Sequence, residues 1–248
     1  MGDRAFKERL YAQFARLGKA LASPARLELL DLLAQGERSV EALARETNLS
    51  MANASAHLQV LARAQLVASR KMGLRVHYRL ADPSVYRLWA ALREAGTSQL
   101  AEIDRLAGMY LQDRQALEPL SRDELLARLT RGDTVVLDVR PALEYQQGHI
   151  AGARSTPLDE LEARLAELDP AREVVAYCRG PYCVFADEAV ALLRAHGRRA
   201  YRYAEGFPEW AAAQLPVEGL PYHVSHASQR AASTTLVSNS GSAIPVNK

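Results

Sequence analysis

The pattern of apolar residues changes at Pro119, and this change limits the folds open to the chain. Before Pro119 apolar residues recur at helical spacing, apart from one strand-like stretch over residues 66–80. From Ser121 onward short apolar strands alternate with helical segments. Alternation of this kind predicts a parallel sheet covered by helices, whereas the first part predicts a mainly helical domain. We therefore expect two domains, which 248 residues can supply.

Charged residues are also distributed unevenly along the chain. Residues 1–97 carry 15 Lys and Arg against 9 Asp and Glu, whereas residues 98–223 carry 14 against 20. A basic first part suits a polyanionic partner such as nucleic acid. After Tyr222 the chain is rich in Ser, Thr, Asn, Ala and Gly without periodicity, which indicates disorder. The predicted parts are a mainly α domain over 1–97, a helical linker over 98–119, an α/β domain over 120–222 and a disordered tail over 223–248.

Composition excludes several protein classes. The two cysteines, Cys178 and Cys183, are too few for a disulfide framework and fit a reducing cytoplasm, where we expect the protein. The sequence has no run of ~18 uncharged apolar residues, so we expect no membrane partner. The first 16 residues have no apolar core of the kind found in secretory signals.

Serines mark the starts of three predicted helices in the first part. Ser23 precedes Pro24, and Ser39 and Ser50 precede two further helical stretches, where a hydroxyl can cap backbone N–H groups. Gly73 lies between two strand-like runs and predicts a hairpin. The predicted elements are helices over 6–17, from 24 to a stop at 36, over 39–45 and over 51–64, strands over 66–70 and 76–80, and a helical run over 84–117.

Two helices joined by a tight turn and followed by a hairpin form the order of a winged helix-turn-helix, whose second helix enters the DNA major groove. This stretch resembles the ArsR family of bacterial repressors over about residues 10–95. The matching segments are 49–50, 55–61, 64–67 and the wing over 70–80. The resemblance implies a homodimer on a near-palindromic double-stranded DNA operator, with the first and last helices of the domain at the dimer interface.

Polar residues on the recognition helix and basic residues on the wing are the candidate DNA contacts. Asn, Gln and Ser side chains can contact base edges, and Arg and Lys neutralise phosphates. For His57 two interpretations stay open, a DNA contact or packing between the two helices. The DNA-binding candidates are Ser50, Asn53, Ser55, His57, Gln59, Arg70, Lys71, Arg75 and Arg79.

The first domain lacks the metal ligands of metal-sensing ArsR members. Residues 41–46 contain no Cys-x-Cys motif, and residues 84–106 contain no His. We therefore expect no metal site and no cofactor, and thiol sensing inside the helix-turn-helix is excluded.

The second part carries the pattern of an α/β domain. Ser121 and Glu124 form a capping box before an apolar helix. The predicted strands cover 134–139, 173–177 and 199–203, and the predicted helices cover 158–168, 184–195 and 208–214.

Cys178 stands between the end of a strand and the start of a helix. Backbone N–H groups and the helix dipole at such a position lower a thiol pKa and favour the nucleophilic thiolate. Gly180 lets the loop curl, and Arg179 adds a cation near an anionic donor. The catalytic candidates are the loop residues Cys178, Arg179, Gly180, Pro181, Tyr182 and Cys183.

This part resembles the rhodanese domain over about residues 120–215. The matching segments are 138–140, 144–145, 148–153, the loop 178–183 and 206–210. The resemblance implies that Cys178 takes sulfane sulfur from a donor such as thiosulfate or a persulfide, becomes a persulfide and passes sulfur to a thiol acceptor. This favours a thiosulfate sulfurtransferase activity over an inert buried cysteine.

Several alternatives remain at the level of sequence. The whole chain is a repressor that transfers or senses sulfane sulfur, or mainly a sulfurtransferase whose helix-turn-helix dimerises it or brings it to a promoter. Cys183 forms a disulfide with Cys178 or acts as a resolving thiol, or it is a small packed residue. Arg140 and Glu144 are expected to form an internal ion pair, and His149 to bind a backbone carbonyl.

Overall fold

The computed structural model describes residues 4–111 and 119–219. The predicted disordered tail, 223–248, lies outside the described residues, as does the end of the helical run predicted to reach residue 117. No helix within the described ranges has the length and apolar character needed to cross a lipid bilayer.

The first domain is a winged helix. Ser39 accepts a hydrogen bond from the N–H of Ala42, and Ser50 accepts one from the N–H of Asn53, so both predicted caps are present. Ser23 is different: Pro24 begins the helix, but the Ser23 side chain makes no capping bond, so that expectation was wrong. The elements are α1 Arg4–Leu21, α2 Pro24–Ala34, β1 Arg38–Ser39, α3 Val40–Glu46, α4 Met51–Arg63, β2 Val67–Met72, β3 Arg75–Leu80, α5 Pro83–Gln99 and α6 Ala101–Tyr110.

A short strand that the sequence analysis missed joins the hairpin to the helices. β1 pairs with β3, and β3 pairs with β2, so the sheet is antiparallel in the order β1-β3-β2. Leu29, Leu33, Leu43, Leu58 and Leu61 form the centre of the core with almost no exposure to solvent. These leucines belong to α2, α3 and α4, so burial of their side chains fixes the angle of the recognition helix α4.

The predicted helical run over 84–117 is interrupted. Leu100 has extended backbone angles and separates α5 from α6. At Gly96 a Cβ atom would lie 3.1 Å from Ile103 Cδ1, so the absent side chain lets α6 fold back against α5. Residues 83–110 thus form two helices that meet at Leu100 instead of one long helix.

The second domain is an α/β unit around a parallel sheet in the order β6-β4-β7-β8. The capping box of Ser121 and Glu124 is present, and the backbone N–H of Ser121 donates to Glu124 over 2.8 Å. The elements are α7 Arg122–Arg131, β4 Thr134–Asp138, α8 Ala142–Gln147, β5 His149–Ile150, β6 Arg154–Ser155, β7 Glu173–Cys178, α9 Phe185–Ala195, β8 Ala200–Gly206, α10 Phe207–Ala212 and β9 Val217–Glu218.

Both faces of this sheet are covered, as is usual for parallel sheets. Val135 and Leu137 pack with α9 on one face, while Val136 and Tyr177 pack with Trp210 of α10 on the other. Strand β7 lies between β4 and β8, and Cys178 is the last residue of this strand, at its carboxyl end.

The helix predicted over 158–168 is absent as such. Two short 3₁₀ helices, Leu158–Glu160 and Leu165–Glu167, stand in its place. Leu161 and Leu168 are nevertheless buried in the core. Leu158 and Leu161 are three residues apart, as are Leu165 and Leu168, and this spacing fits a 3₁₀ turn as well as an α-helix, which is why the pattern misled.

Candidate functional site

The recognition helix presents a polar face to solvent. Asn53 and Gln59 are exposed, whereas Ser55 and His57 are half-buried. Ser50 is occupied with capping, and the Gln59 amide reaches the Ser55 hydroxyl over 3.4 Å. Asn53 and Gln59 are therefore the candidates most accessible to a base edge, while the half-burial of His57 is in keeping with the packing interpretation.

The wing separates its basic residues into two groups. Lys71 and Arg75 are exposed on either side of the hairpin turn, where Gly73 takes a φ of +61°. Arg70 donates two hydrogen bonds to Glu37 at 2.6 and 2.7 Å, and Arg79 donates to the carbonyl of Leu80. The exposed pair at the tip is thus the part of the wing most available to DNA phosphates.

The thiol loop, residues 178–183, lies between β7 and α9. Cys178 is buried, with 1% of its surface exposed, whereas Cys183 is half-buried. Gly180 takes a φ of +151°, in a region that L side chains rarely adopt, as the sequence analysis expected of a curled loop. Pro181 is half-buried, and the exposed Tyr182 shares a 2.8 Å hydrogen bond with the hydroxyl of Thr97.

The pKa values of the two thiols are shifted in the opposite sense to the sequence-based expectation, which made Cys178 the thiolate. Burial, together with the hydrogen bond to Cys183, raises the pKa of Cys178 well above its ordinary value, although the N–H groups of Ala186 and Gly180 oppose this. The pKa of Cys183 is lowered to about 7, mainly by the hydrogen bond from Cys178 and also by N–H groups and the Arg179 charge. The contact between the thiols therefore favours the proton on Cys178 and the negative charge on Cys183.

A buried ion pair lies at the end of β4, beside strand β7. Arg140 and Asp138 are both fully buried and form a 2.6 Å ion pair, and the Tyr177 hydroxyl donates to Asp138 over 2.6 Å. The expected partner Glu144 lies 4.0 Å from Arg140, so Asp138 is the main partner. His149 Nδ1 meets the carbonyl of Tyr145 at 2.8 Å, as expected.

Four charged residues meet between the two domains, a contact that nothing in the sequence predicted. Arg38 contacts Glu46 at 2.5 Å and Glu144 at 2.6 Å. Arg179 contacts the same two carboxylates, at 3.0 Å for Glu46 and 2.5 Å for Glu144. We call these four residues the interdomain ion-pair ring: each domain supplies one cation and one anion.

Further hydrogen bonds join the first domain to the thiol loop and its surroundings. The Gln35 amide donates to the carbonyl of Arg179 over 2.9 Å and accepts from Arg140 over 3.2 Å. Arg93 of α5 pairs with Glu209 of α10 at 2.5 Å. Gln35, Arg93 and Glu209 are common polar residues at the end or on the surface of a helix, so the sequence around them gives no sign of these contacts.

The described residues include no cluster of His, Cys, Asp and Glu side chains suited to a metal ion. The candidate site consists of an exposed polar helix with a basic wing, and of a thiol loop with a buried Cys178 and a half-buried Cys183, bonded to the first domain through Arg179.

Comparisons with known proteins match both halves of the chain. The rhodanese-like domain family matches residues 121–213, and a helix-turn-helix domain family matches residues 21–70. The HTH-type transcriptional regulator Rv0324 of Mycobacterium tuberculosis is 47% identical over 216 residues, which cover 87% of this chain and 95% of that protein.

Two further matches concern the first half. The uncharacterized HTH-type transcriptional regulator Rv0081 of Mycobacterium tuberculosis is 39% identical over 110 residues, 44% of this chain and 93% of that protein. The solution structure of a homodimeric winged helix-turn-helix DNA-binding domain from Mycobacterium bovis is 47% identical, with a TM-score of 0.38 over 40% of this chain and 91% of that chain.

Proposed function

The chain belongs to the family of ArsR-type HTH transcriptional regulators that carry a rhodanese-like domain, and we propose that it is a homodimeric repressor that senses sulfane sulfur through Cys178. The observation that carries the proposal is the burial of Cys178 in a loop held by the DNA-binding domain itself. A sulfurtransferase that turns over freely needs an open thiol. A buried thiol whose loop is bonded to the DNA-binding domain suits a sensor.

DNA binding is supported by the two exposed groups of the first domain. Asn53 and Gln59 of α4 have the chemistry to bond base edges in the major groove. Lys71 and Arg75 stand at the wing tip, where they can neutralise phosphates on either side of that groove. The buried leucines of α4 hold this helix against the domain core, so the positions of Asn53 and Gln59 are fixed relative to that core.

Dimerisation is supported by large apolar side chains at the surface. Phe6, Tyr11 and Phe14 of α1 are 58%, 67% and 58% exposed, and Leu88 and Leu92 of α5 are also exposed. Exposed apolar patches of this kind mark protein interfaces. A second copy of the chain would cover both helices and give the two-fold symmetry that a near-palindromic operator requires.

Sulfur loading begins with attack by Cys178 on the outer sulfur of a donor such as thiosulfate. The Cys178 proton passes to the Cys183 thiolate, its hydrogen-bond partner. A bond forms between Cys178 and the outer sulfur, and sulfite leaves with the electron pair of the old S–S bond. Cys178 then carries a persulfide anion. In the return step, an acceptor thiolate takes the outer sulfur and restores the Cys178 thiolate.

The test is the mass of the intact chain after treatment with thiosulfate. Wild type should gain one sulfur atom, and Cys178→Ser should gain none because the attacking sulfur is gone. Cys183→Ser keeps the nucleophile and should still gain sulfur, more slowly because the proton acceptor is weaker. Loading of Cys178→Ser together with no loading of Cys183→Ser would reverse the assignment of the nucleophile.

A further inference from the structure

Arg179 is the cation nearest to the thiol pair along the loop, and its charge is already neutralised. It contacts Glu46 and Glu144, and both carboxylates also contact Arg38. Thiosulfate is a dianion, and a persulfide on Cys178 is an anion. Both therefore compete with the two carboxylates for the same guanidinium.

The two carboxylates differ in how firmly they are placed. Glu144 is almost fully buried within the second domain, whereas Glu46 belongs to the first domain and its side chain is 22% exposed. Glu46 is thus the partner that can leave Arg179 at lower cost, because water can solvate it when the contact opens.

Glu46 also lies close in the chain to the recognition helix α4. It is the last residue of α3, and the turn over residues 47–50 connects it directly to Ser50, the cap of α4. A change in the Arg179–Glu46 contact therefore acts on the turn of the helix-turn-helix. The ring joins the thiol loop to this turn directly, without the helical segments that precede the second domain in the chain.

We infer that Glu46 is a positioning residue of the thiol loop, which holds Arg179 away from an incoming anionic donor and transmits the loading of Cys178 to the turn before the recognition helix. This inference rests on the proposed function for its DNA-binding part, while the effect of Glu46 on the loop stands by itself.

The thiol loop is tightly packed, and we therefore expect the addition of a sulfur atom to Cys178 to disturb the contact between Arg179 and Glu46. Gly180 is buried, and a Cβ at Gly206 would overlap the backbone of Arg179 and Gly180, so the loop has little room on the β8 side. An added sulfur atom at the buried Cys178 needs space, and its negative charge attracts Arg179. Both effects pull Arg179 from Glu46, which is the outward partner.

The first experiment measures the charge felt at the loop with two alkylating reagents of similar size. Iodoacetate is anionic and iodoacetamide is neutral, and peptide mass spectrometry gives the rate of each at Cys183 in the full chain. Glu46→Gln should raise the ratio of the iodoacetate rate to the iodoacetamide rate by about fivefold, because Arg179 loses one of its two counter-charges. Simple loosening of the loop would speed both reagents equally and leave the ratio unchanged.

Glu41→Gln is the matched control, since Glu41 lies on the same helix, is exposed and loses the same charge. Its ratio should equal that of wild type. Glu46→Asp keeps the charge one methylene farther from Arg179 and should give an intermediate ratio, which also covers the case of a poorly folded Glu46→Gln. Wild-type ratios in both Glu46 variants would overturn the inference.

The second experiment separates this inference from the proposed function. A duplex selected from a random pool by the wild-type protein is titrated with each full-chain variant, with and without thiosulfate. Glu46→Gln should gain sulfur but lose most of the donor-dependent change in affinity, and Glu41→Gln should retain it. A change in DNA affinity on thiosulfate treatment as large in Glu46→Gln as in wild type would overturn the inference. A wild type that gains no sulfur would overturn the proposed function. In that case the alkylation ratio alone tests the role of Glu46.

Discussion

The recognition surface and the thiol loop differ in where their polar side chains find partners. Asn53, Lys71 and Arg75 point into solvent, so their surface is ready for a partner from outside the chain. In the thiol loop, by contrast, Arg179 is held by carboxylates from both domains, and Cys178 is buried. The first surface is built for recognition, whereas the second is built so that a chemical change inside the chain has to break existing contacts.

The largest effect on DNA binding is expected from the exposed basic residues of the wing. Changing Lys71 and Arg75 together to Ala should weaken binding to all DNA sequences, because both charges are placed to neutralise phosphates. The slope of log affinity against log salt should become shallower by about two units, one for each lost contact. Arg70→Ala is the internal comparison, since Arg70 is paired with Glu37 and should change the slope less. An unchanged slope in the double variant would remove the wing from the interface.

A smaller effect that depends on sequence is expected from the recognition helix. Asn53→Ala or Gln59→Ala should cost about 1–3 kcal/mol on the selected duplex and little on random DNA. The control is Gln99→Ala, which removes an exposed amide at the end of α5. Equal losses on selected and random DNA would show that these amides contact the backbone instead of base edges.

The smallest effect is a shift in the pH dependence of Cys183 within the thiol loop. Because thiolate is the reactive form and the pKa of Cys183 is lowered to about 7, alkylation by iodoacetamide should rise with pH and be half-maximal near pH 7. Cys178→Ala removes the hydrogen bond that contributes most to this lowering, so the midpoint should move to higher pH. Cys178→Ser keeps a donor and should move it less; equal midpoints in all three proteins would refute the effect of the contact between the thiols on the pKa of Cys183.

The local parts of this structure could be predicted from sequence. The caps at Ser39, Ser50 and Ser121 follow from hydroxyl chemistry at helix starts, and each is present. The order of elements around Cys178 follows from alternation and identifies the loop. Such features depend on neighbours within a few residues, which a sequence displays directly.

The contacts between the domains could not be predicted in this way. Glu46 and Arg179 are separated by 133 residues. Glu46 has the appearance of an ordinary solvated charge at the end of its helix, and the sequence marks Arg179 only as a cation of the thiol loop. The pKa of Cys178 illustrates the same limit. A strand end and helix start favour a thiolate, but the burial that reverses this comes from the packing of the whole loop.

The measurement that tests the account most directly is the affinity of the full chain for its selected duplex before and after sulfur loading. In wild type, thiosulfate should change the affinity by about 5–150-fold, the range of typical coupling between two sites. Cys178→Ser should bind equally with and without thiosulfate. A wild type that gains one sulfur on Cys178 yet binds DNA with unchanged affinity would contradict the account and leave two domains that work independently.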